Sequence, residues 1–248
     1  MSVETLLYFA LLALLAEILG TVGGFGSSVF FVPIAAYFLD FHTVLGVTAV
    51  FHVTSNLSKI ALFKKGANKQ LLLYLGVPAV VMVVLGAWWS QYLQTQWFEV
   101  LLAAFLVVMS LSLLIWKNYS IEPTRTNSVV GGVISGLLAG LLGTGGAVRG
   151  ITMAAYNLSI DSFIATSALI DLGIDASRSV VYVWNGYVRW SDLTLILILA
   201  VVSFTGTYLG KMILKRFTQQ QFRSIVLLLI LATGIYTLVK FAGSMASL

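Results

Sequence analysis

Cysteine is absent from the 248 residues, which excludes disulfides, thiolate metal sites and cysteine nucleophiles. Proline occurs three times, and Asp, Glu, Lys and Arg together make up 9% of the chain, far below the roughly 25% of a soluble domain. No metal or cofactor is expected. What is present is apolar: 59% of the residues are hydrophobic and the mean hydropathy is +0.99. Such a chain reads as a polytopic membrane protein. The net charge of +5 is spread over the short links between apolar runs, with no basic stripe or tail. That pattern argues against a nucleic-acid partner and for a role in membrane orientation. The N-terminal stretch MSVETLLYFALLALLAEILG has no basic leader and no small-residue cleavage site, so it is expected to remain in the mature protein.

The apolar blocks fall at 3 to 39 (interrupted), 43 to 63, 71 to 89, 98 to 116, 128 to 160 (interrupted), 162 to 184, 193 to 214 and 222 to 240. Each of the six uninterrupted blocks runs about 20 residues, enough to cross about 30 Å of hydrocarbon at 1.5 Å per residue. Trp88, Trp89, Trp97, Trp116, Trp184 and Trp190 all lie at block ends, where an aromatic belt would place them.

Sliding the chain on itself shows internal repetition. At an offset of 122, Gly23 and Gly24 fall on Gly145 and Gly146; at 119, Tyr37, Leu39, Ala49, Asn56, Ser58 and Lys59 fall on Tyr156, Leu158, Ala168, Asp175, Ser177 and Arg178. At 120, Gly66 meets Gly186 and Gly86 meets Gly206. The chain therefore reads as one membrane domain, 1–248, built from two copies of a unit of about 120 residues, 1–119 and 128–248.

The basic links decide how the copies are expected to lie. The link after the second block is basic in copy one (Lys64, Lys65, Lys69) and nearly neutral in copy two; the next link is uncharged in copy one and carries Lys211, Lys215, Arg216 and Arg223 in copy two. With Lys and Arg on the cytoplasmic side, the copies are inverted relative to one another. The expected fold is thus all-α, with two inverted repeats, each a glycine-broken re-entrant hairpin followed by three transmembrane helices. Both termini then lie outside. The alternative is eight full spans with parallel copies.

The breaks themselves read as a site. GTVGGFGSSVFFVP (20–33) and LGTGGAVRGITMAAYNL (142–158) interrupt otherwise apolar helices. Irregular backbone at membrane depth is tolerated only beside protein or a water-filled cavity. The half-helix after each break would direct its free N–H groups at the membrane centre, where they suit an anion. A bland alternative is that the glycines merely allow close helix packing.

Buried charge sharpens the anion reading. Asp171, Asp175 and Arg178 stand at i, i+4 and i+7, one helical face, and copy one has His52, Asn56 and Lys59 at the matching positions. Arg149 follows the second break, opposite Ser27 at the offset of 122. Its guanidinium can grip a carboxylate or sulfonate in two places, with pairing to Asp171 or Asp175 as the rival role. The expected substrate-binding set is Arg149, Arg178, Gly23, Gly24, Ser27, Ser28, Thr144, Gly145, Gly146, Asn56 and Lys59. The expected coupling set is His52, Asp171, Asp175 and Glu17. Lys59 snorkelling to the interface and a self-neutralising Asp175–Arg178 pair are the structural alternatives.

The two glycine-broken motifs, in a chain of two four-block copies, resemble the TauE/SafE family of sulfite exporter-like permeases over nearly the whole length. The resemblance implies a non-enzymatic, multi-pass transporter of a prokaryotic cytoplasmic or plastid-type membrane. It also implies a small sulfur-containing anion as substrate, such as sulfite or sulfoacetate, and export, with protons as a candidate co-substrate. The family's glycines map onto Gly23, Gly24, Gly26, Gly143, Gly145 and Gly146. Copy one lacks an arginine matching Arg149, so a symmetric two-arginine clamp is not implied. A homodimer is one open assembly. An anion channel is the nearest competitor. An intramembrane protease using Ser27 or Ser28 with His52 is the alternative from another class.

Overall fold

A computed structural model describes residues 2–24, 26–63, 66–92, 100, 103–104, 107–108, 110–112, 114–115, 122–154, 156, 158–216 and 218–246. Among them every regular element is helical. Helix α1 spans Val3–Gly23, α2 Ser28–Ala35, α3 Phe41–Leu62 and α4 Lys69–Tyr92; α5 spans Arg125–Leu142, α6 Gly146–Ala154, α7 Ile160–Trp184, α8 Leu193–Leu214 and α9 Gln219–Ala246. Four stretches are long and apolar enough to cross a membrane among the described residues: α1, α4, α5 and α8 with its 3-10 lead-in from Trp190. The expected span at 98 to 116 lies about half outside the described residues, and Lys64, Lys65, Trp97 and Trp116 lie outside them.

Short polar side chains start the long helices. Ser2, Asp40, Asn68, Thr124 and Ser159 each accept a hydrogen bond from the amide three residues on, satisfying a donor that the first turn leaves open. Glycine ends two of them. Gly24 and Gly143 adopt left-handed conformations, with φ of 72° and 74°, and return their amides to Gly20 and Ala139. Inside α4 the backbone widens to a π-helical turn over Leu72–Gly76, just ahead of Pro78, which has no amide to donate.

The order long helix, glycine break, short helix, long helix, long helix therefore occurs twice, as α1 to α4 and α5 to α8. One detail of the sequence comparison changes. The two left-handed caps are separated by the same 119 residues as Asn56 and Asp175, so no shift to 122 is needed at the break. Arg149 then stands opposite Phe30, not Ser27. The helix-ending glycine, and not the GG pair, is the equivalent point, because the cap fixes where the chain turns. The hairpin is also lopsided: its first limb is a full-length helix of 21 or 18 residues, and only the second is short, at 8 or 9.

Glycines set how the helices meet. A β-carbon on Gly136 would lie 2.7 Å from the Ala79 α-carbon, and Gly132 and Gly140 stand as closely over Leu75 and Val83, so α4 and α5 run side by side in the same direction. Helices α1 and α8 do likewise: Gly206 faces Glu17 and Gly210 faces Thr21. Both contacts use the small-residue spacing of tight membrane helix pairs. Helices α3 and α7 cross the other way, Gly46 meeting Tyr187, Asn56 meeting Asp175 and Asn68 meeting Thr166. Trp88, Trp89, Trp184 and Trp190 are exposed at helix ends, as a belt requires.

Candidate functional site

Two buried ion clusters flank the crossing of α3 and α7. The first centres on Glu17 of α1, fully buried. Its Oε1 receives Ser55 at 2.5 Å, Thr207 at 3.0 Å and Thr21 at 3.2 Å, and lies 3.0 Å from the Lys59 ammonium; Oε2 receives the Ser27 hydroxyl at 2.5 Å. Lys59 also donates to Ser55 at 2.6 Å. A buried carboxylate is costly unless it is paired and hydrogen-bonded, and here five donors surround it.

The second cluster belongs to α6 and α7. Arg149 forms an ion pair with Asp171, whose other oxygen accepts from Ser167 at 3.1 Å. Arg178 is held on Asp175 by Nε at 2.8 Å and Nη2 at 2.7 Å, and its Nη1 donates to the Ala139 carbonyl at 3.1 Å, beside the α5 break. Asn56 of α3 donates to Asp175 at 2.7 Å. The i, i+4, i+7 spacing in α7 thus does put these groups on one face, turned toward α3.

His52 joins the clusters. Its Nδ1 lies 3.4 Å from Arg178 Nη2 and its Nε2 3.0 Å from Ser27 Oγ. A guanidinium has no acceptor, so Nδ1 accepts and the imidazole hydrogen is on Nε2. Nε2–H then donates to Ser27, and Ser27 donates to Glu17. Every hydrogen in the chain Arg178, His52, Ser27, Glu17 has a defined direction.

Between the clusters lies a small polar cavity. Of the expected residues, Ser28, His52, Asn56, Lys59, Gly145, Gly146, Arg149, Asp171, Asp175 and Arg178 line it. Both glycine breaks reach it, Gly26 from one side and Gly143, Gly145 and Gly146 from the other. Glu17 and Ser27 stand behind its wall, Gly23 and Thr144 are buried without lining it, and Gly24 packs against Phe163 instead. The space at its centre is about 10 Å³ for a water-sized sphere, roughly the room of one water. Residues not foreseen are Thr21, Ser55, Ser167 and Thr207, which complete the carboxylate shells. Ser55 and Ser167 lie on the polar faces of α3 and α7 and were within reach of a helical-wheel argument. Thr207 arrives from 190 residues away and carries no local signal.

Two comparisons bear on this site. The family described as "Sulfite exporter TauE/SafE" matches residues 9–237. The chain belongs to the TauE/SafE family. A relative from Bacillus subtilis (strain 168), "Probable membrane transporter protein YdhB", is 26% identical over 219 residues, covering 83% of this chain and 88% of the relative. The TauE/SafE chain is accordingly a membrane transporter whose helices sit in a lipid bilayer. The buried charges are then groups inside the membrane domain of a transporter, where ionisable residues are costly and rare.

Proposed function

We propose that the chain is a secondary transporter of small sulfur-containing anions, sulfite or organosulfonates such as sulfoacetate, exporting them across a prokaryotic cell membrane by alternating access around this cavity. The observation that carries the reading is the set of cations on the cavity wall, Lys59, Arg149 and Arg178, each held by a carboxylate, Glu17, Asp171 and Asp175 in turn. An anion can take the place of one of these carboxylates on its cation. Arg149 is its grip. A sulfonate or sulfite offers the guanidinium the same pair of oxygens that Asp171 offers, so one can replace the other. Ser28 and the amides at the start of α6 add donors.

With room for about one water, the cavity is in a closed form, and a sulfonate enters only when the helices around it part. We read the two units as inverted repeats that rock against one another. The antiparallel crossing of α3 and α7 and the parallel pairs α1/α8 and α4/α5 support this reading, because an axis lying in the membrane plane reverses a helix against its counterpart. Displacing Asp171 leaves a buried carboxylate without its partner. A proton taken up in the cavity offsets that charge and leaves with the anion, so export in this mode runs down the outward anion gradient.

The test is binding of sulfite, thiosulfate, sulfoacetate, taurine and carboxylate analogues to the purified protein. Arg149→Ala is expected to abolish sulfonate binding; unchanged binding would refute the assignment. In proteoliposomes, saturable flux that depends on a proton gradient separates a transporter from an anion channel.

A protease reading has one geometric point in its favour, the 3.0 Å approach of Ser27 to His52. The hydrogens run the wrong way. His52 donates to Ser27 and is oriented by a cation, whereas a general base needs a free Nε2 and a carboxylate behind Nδ1.

A further inference from the structure

The direction of the hydrogen-bonded chain through His52 has a consequence for coupling, and it rests on the anion reading above. While Arg178 donates to Nδ1, the imidazole has no open acceptor. A proton arriving at Nδ1 would place a second cation against the guanidinium.

We propose that His52 is the site where substrate and proton are coupled: when the Arg178 guanidinium turns to a bound anion, Nδ1 is freed into the cavity and takes up a proton, so that anion and proton occupy the site together. The groups facing His52 agree with this exchange. Arg178 contacts it from α7 and Glu17 is linked to it through Ser27 from α1, while Asp171 and Asp175 of α7, Arg149 of α6 and Lys59 of its own helix line the same cavity. The cations among them oppose an imidazolium as long as the cavity holds no anion. A bound anion lowers the local charge by one, or by two for sulfoacetate, whose sulfonate and carboxylate are both ionised at neutral pH.

A hydronium in the cavity loses a proton, and an N–H bond forms at Nδ1. The imidazolium can then release its Nε2 hydrogen to Ser27 Oγ as Ser27 passes its own to Glu17 Oε2. His52 ends neutral in the other tautomer, and the proton has moved from the α7 cluster to the α1 cluster. Linkage makes the effect reciprocal: whatever factor the anion adds to proton affinity, the proton adds to anion affinity.

The chain holds two histidines, so His42→Gln leaves a single imidazole to observe. In the full-length H42Q protein labelled with 15N-histidine and held in detergent, His52 is expected as the Nε2–H tautomer at neutral pH. A Nδ1–H tautomer there overturns the proposal. Saturating sulfoacetate is expected to raise the His52 titration midpoint by about one pH unit or more; an unmoved midpoint with the probe bound overturns it. A charge-balanced second variant, Asp175→Asn with Arg178→Gln, removes the guanidinium without stranding a carboxylate. It should raise the midpoint with no ligand present, and an unchanged or lowered midpoint counts against the idea. Failure of sulfoacetate to bind at all would count against the substrate reading, while the tautomer and the double variant still decide the role of His52.

Discussion

Asn56 and Asp175, which share a position when the chain is slid on itself by 119 residues, are bonded to one another: the Asn56 amide donates to Asp175 Oδ2 at 2.7 Å. In the inverted-repeat reading proposed above, this contact lies near the axis that relates the two units. The carboxylate on one side and the amide on the other avoid the repulsion that a matched pair of aspartates would bring.

Asn56→Asp should therefore be more disruptive than Asn56→Ala. The alanine strands one lone-pair direction of Asp175, a loss of about 1–3 kcal/mol. The aspartate adds like-charge repulsion in a buried site, and a larger fall in melting temperature in detergent is expected. Equal melting temperatures for the two variants would contradict the contact.

Glu17 and Lys59 form a pair whose single variants should be worse than the double. Glu17→Ala leaves a buried ammonium uncompensated, at a cost of about 3–5 kcal/mol. Lys59→Met added to it removes the stranded charge and should restore much of the stability. A thermal-unfolding double-mutant cycle reads the coupling directly.

Gly136 tests the close approach of α4 and α5. A methyl group there would press on Ala79 at backbone distance, so Gly136→Ala forces the helices apart and should cost about 1–3 kcal/mol. Gly66→Ala, where a β-carbon meets nothing within 4 Å, is the matched control and should unfold at the parental temperature.

Asp40, at the start of α3 and outside the spans, gives a pH signature. Partial burial pushes its carboxyl up, but the Thr43 hydroxyl and amide, followed by the Arg189 charge, outweigh this and hold it below the usual carboxylate range. A depressed folded value stabilises the protein above the unfolded value and loses that contribution as pH falls through the folded one. Asp40→Asn keeps the cap but should flatten this acidic limb of the stability profile. Asp40→Ala should lose about 1 kcal/mol at neutral pH.

Much of the site was legible in the chain. Asp171, Asp175 and Arg178 are confined to one face by helical geometry alone, and the breaks, the aromatic ends and the spans at α4 and α8 follow from hydropathy and glycine; α3 and α7, expected to span at 43–63 and 162–184, are not among the four stretches of the described residues apolar enough to cross, because polar and charged residues facing the site dilute them. The spacing of Gly132, Gly136 and Gly140, and of Gly206 and Gly210, also marks the two tight helix pairs in advance. The register of the break was not legible. Both GG pairs looked equivalent, and only backbone dihedrals show that Gly24 and Gly143 end the helices. Nor was the fate of the arginines. That Arg149 takes Asp171 and Arg178 takes Asp175 depends on where α6 lies against α7, which no local pattern encodes.

What the sequence by itself determined is the solvent and the periodicity: a chain this apolar must bury its backbone in helices, and a charge placed within a span must face inward. What only the tertiary structure decided is the set of partners. Glu17, Ser27, His52, Thr207 and Arg178 come from five separate helical or capping segments, and a hydrogen-bonded chain with one direction exists only once those segments are packed. The physical reason is that desolvation acts on each residue wherever it stands, whereas a hydrogen bond needs a particular partner within about 3 Å.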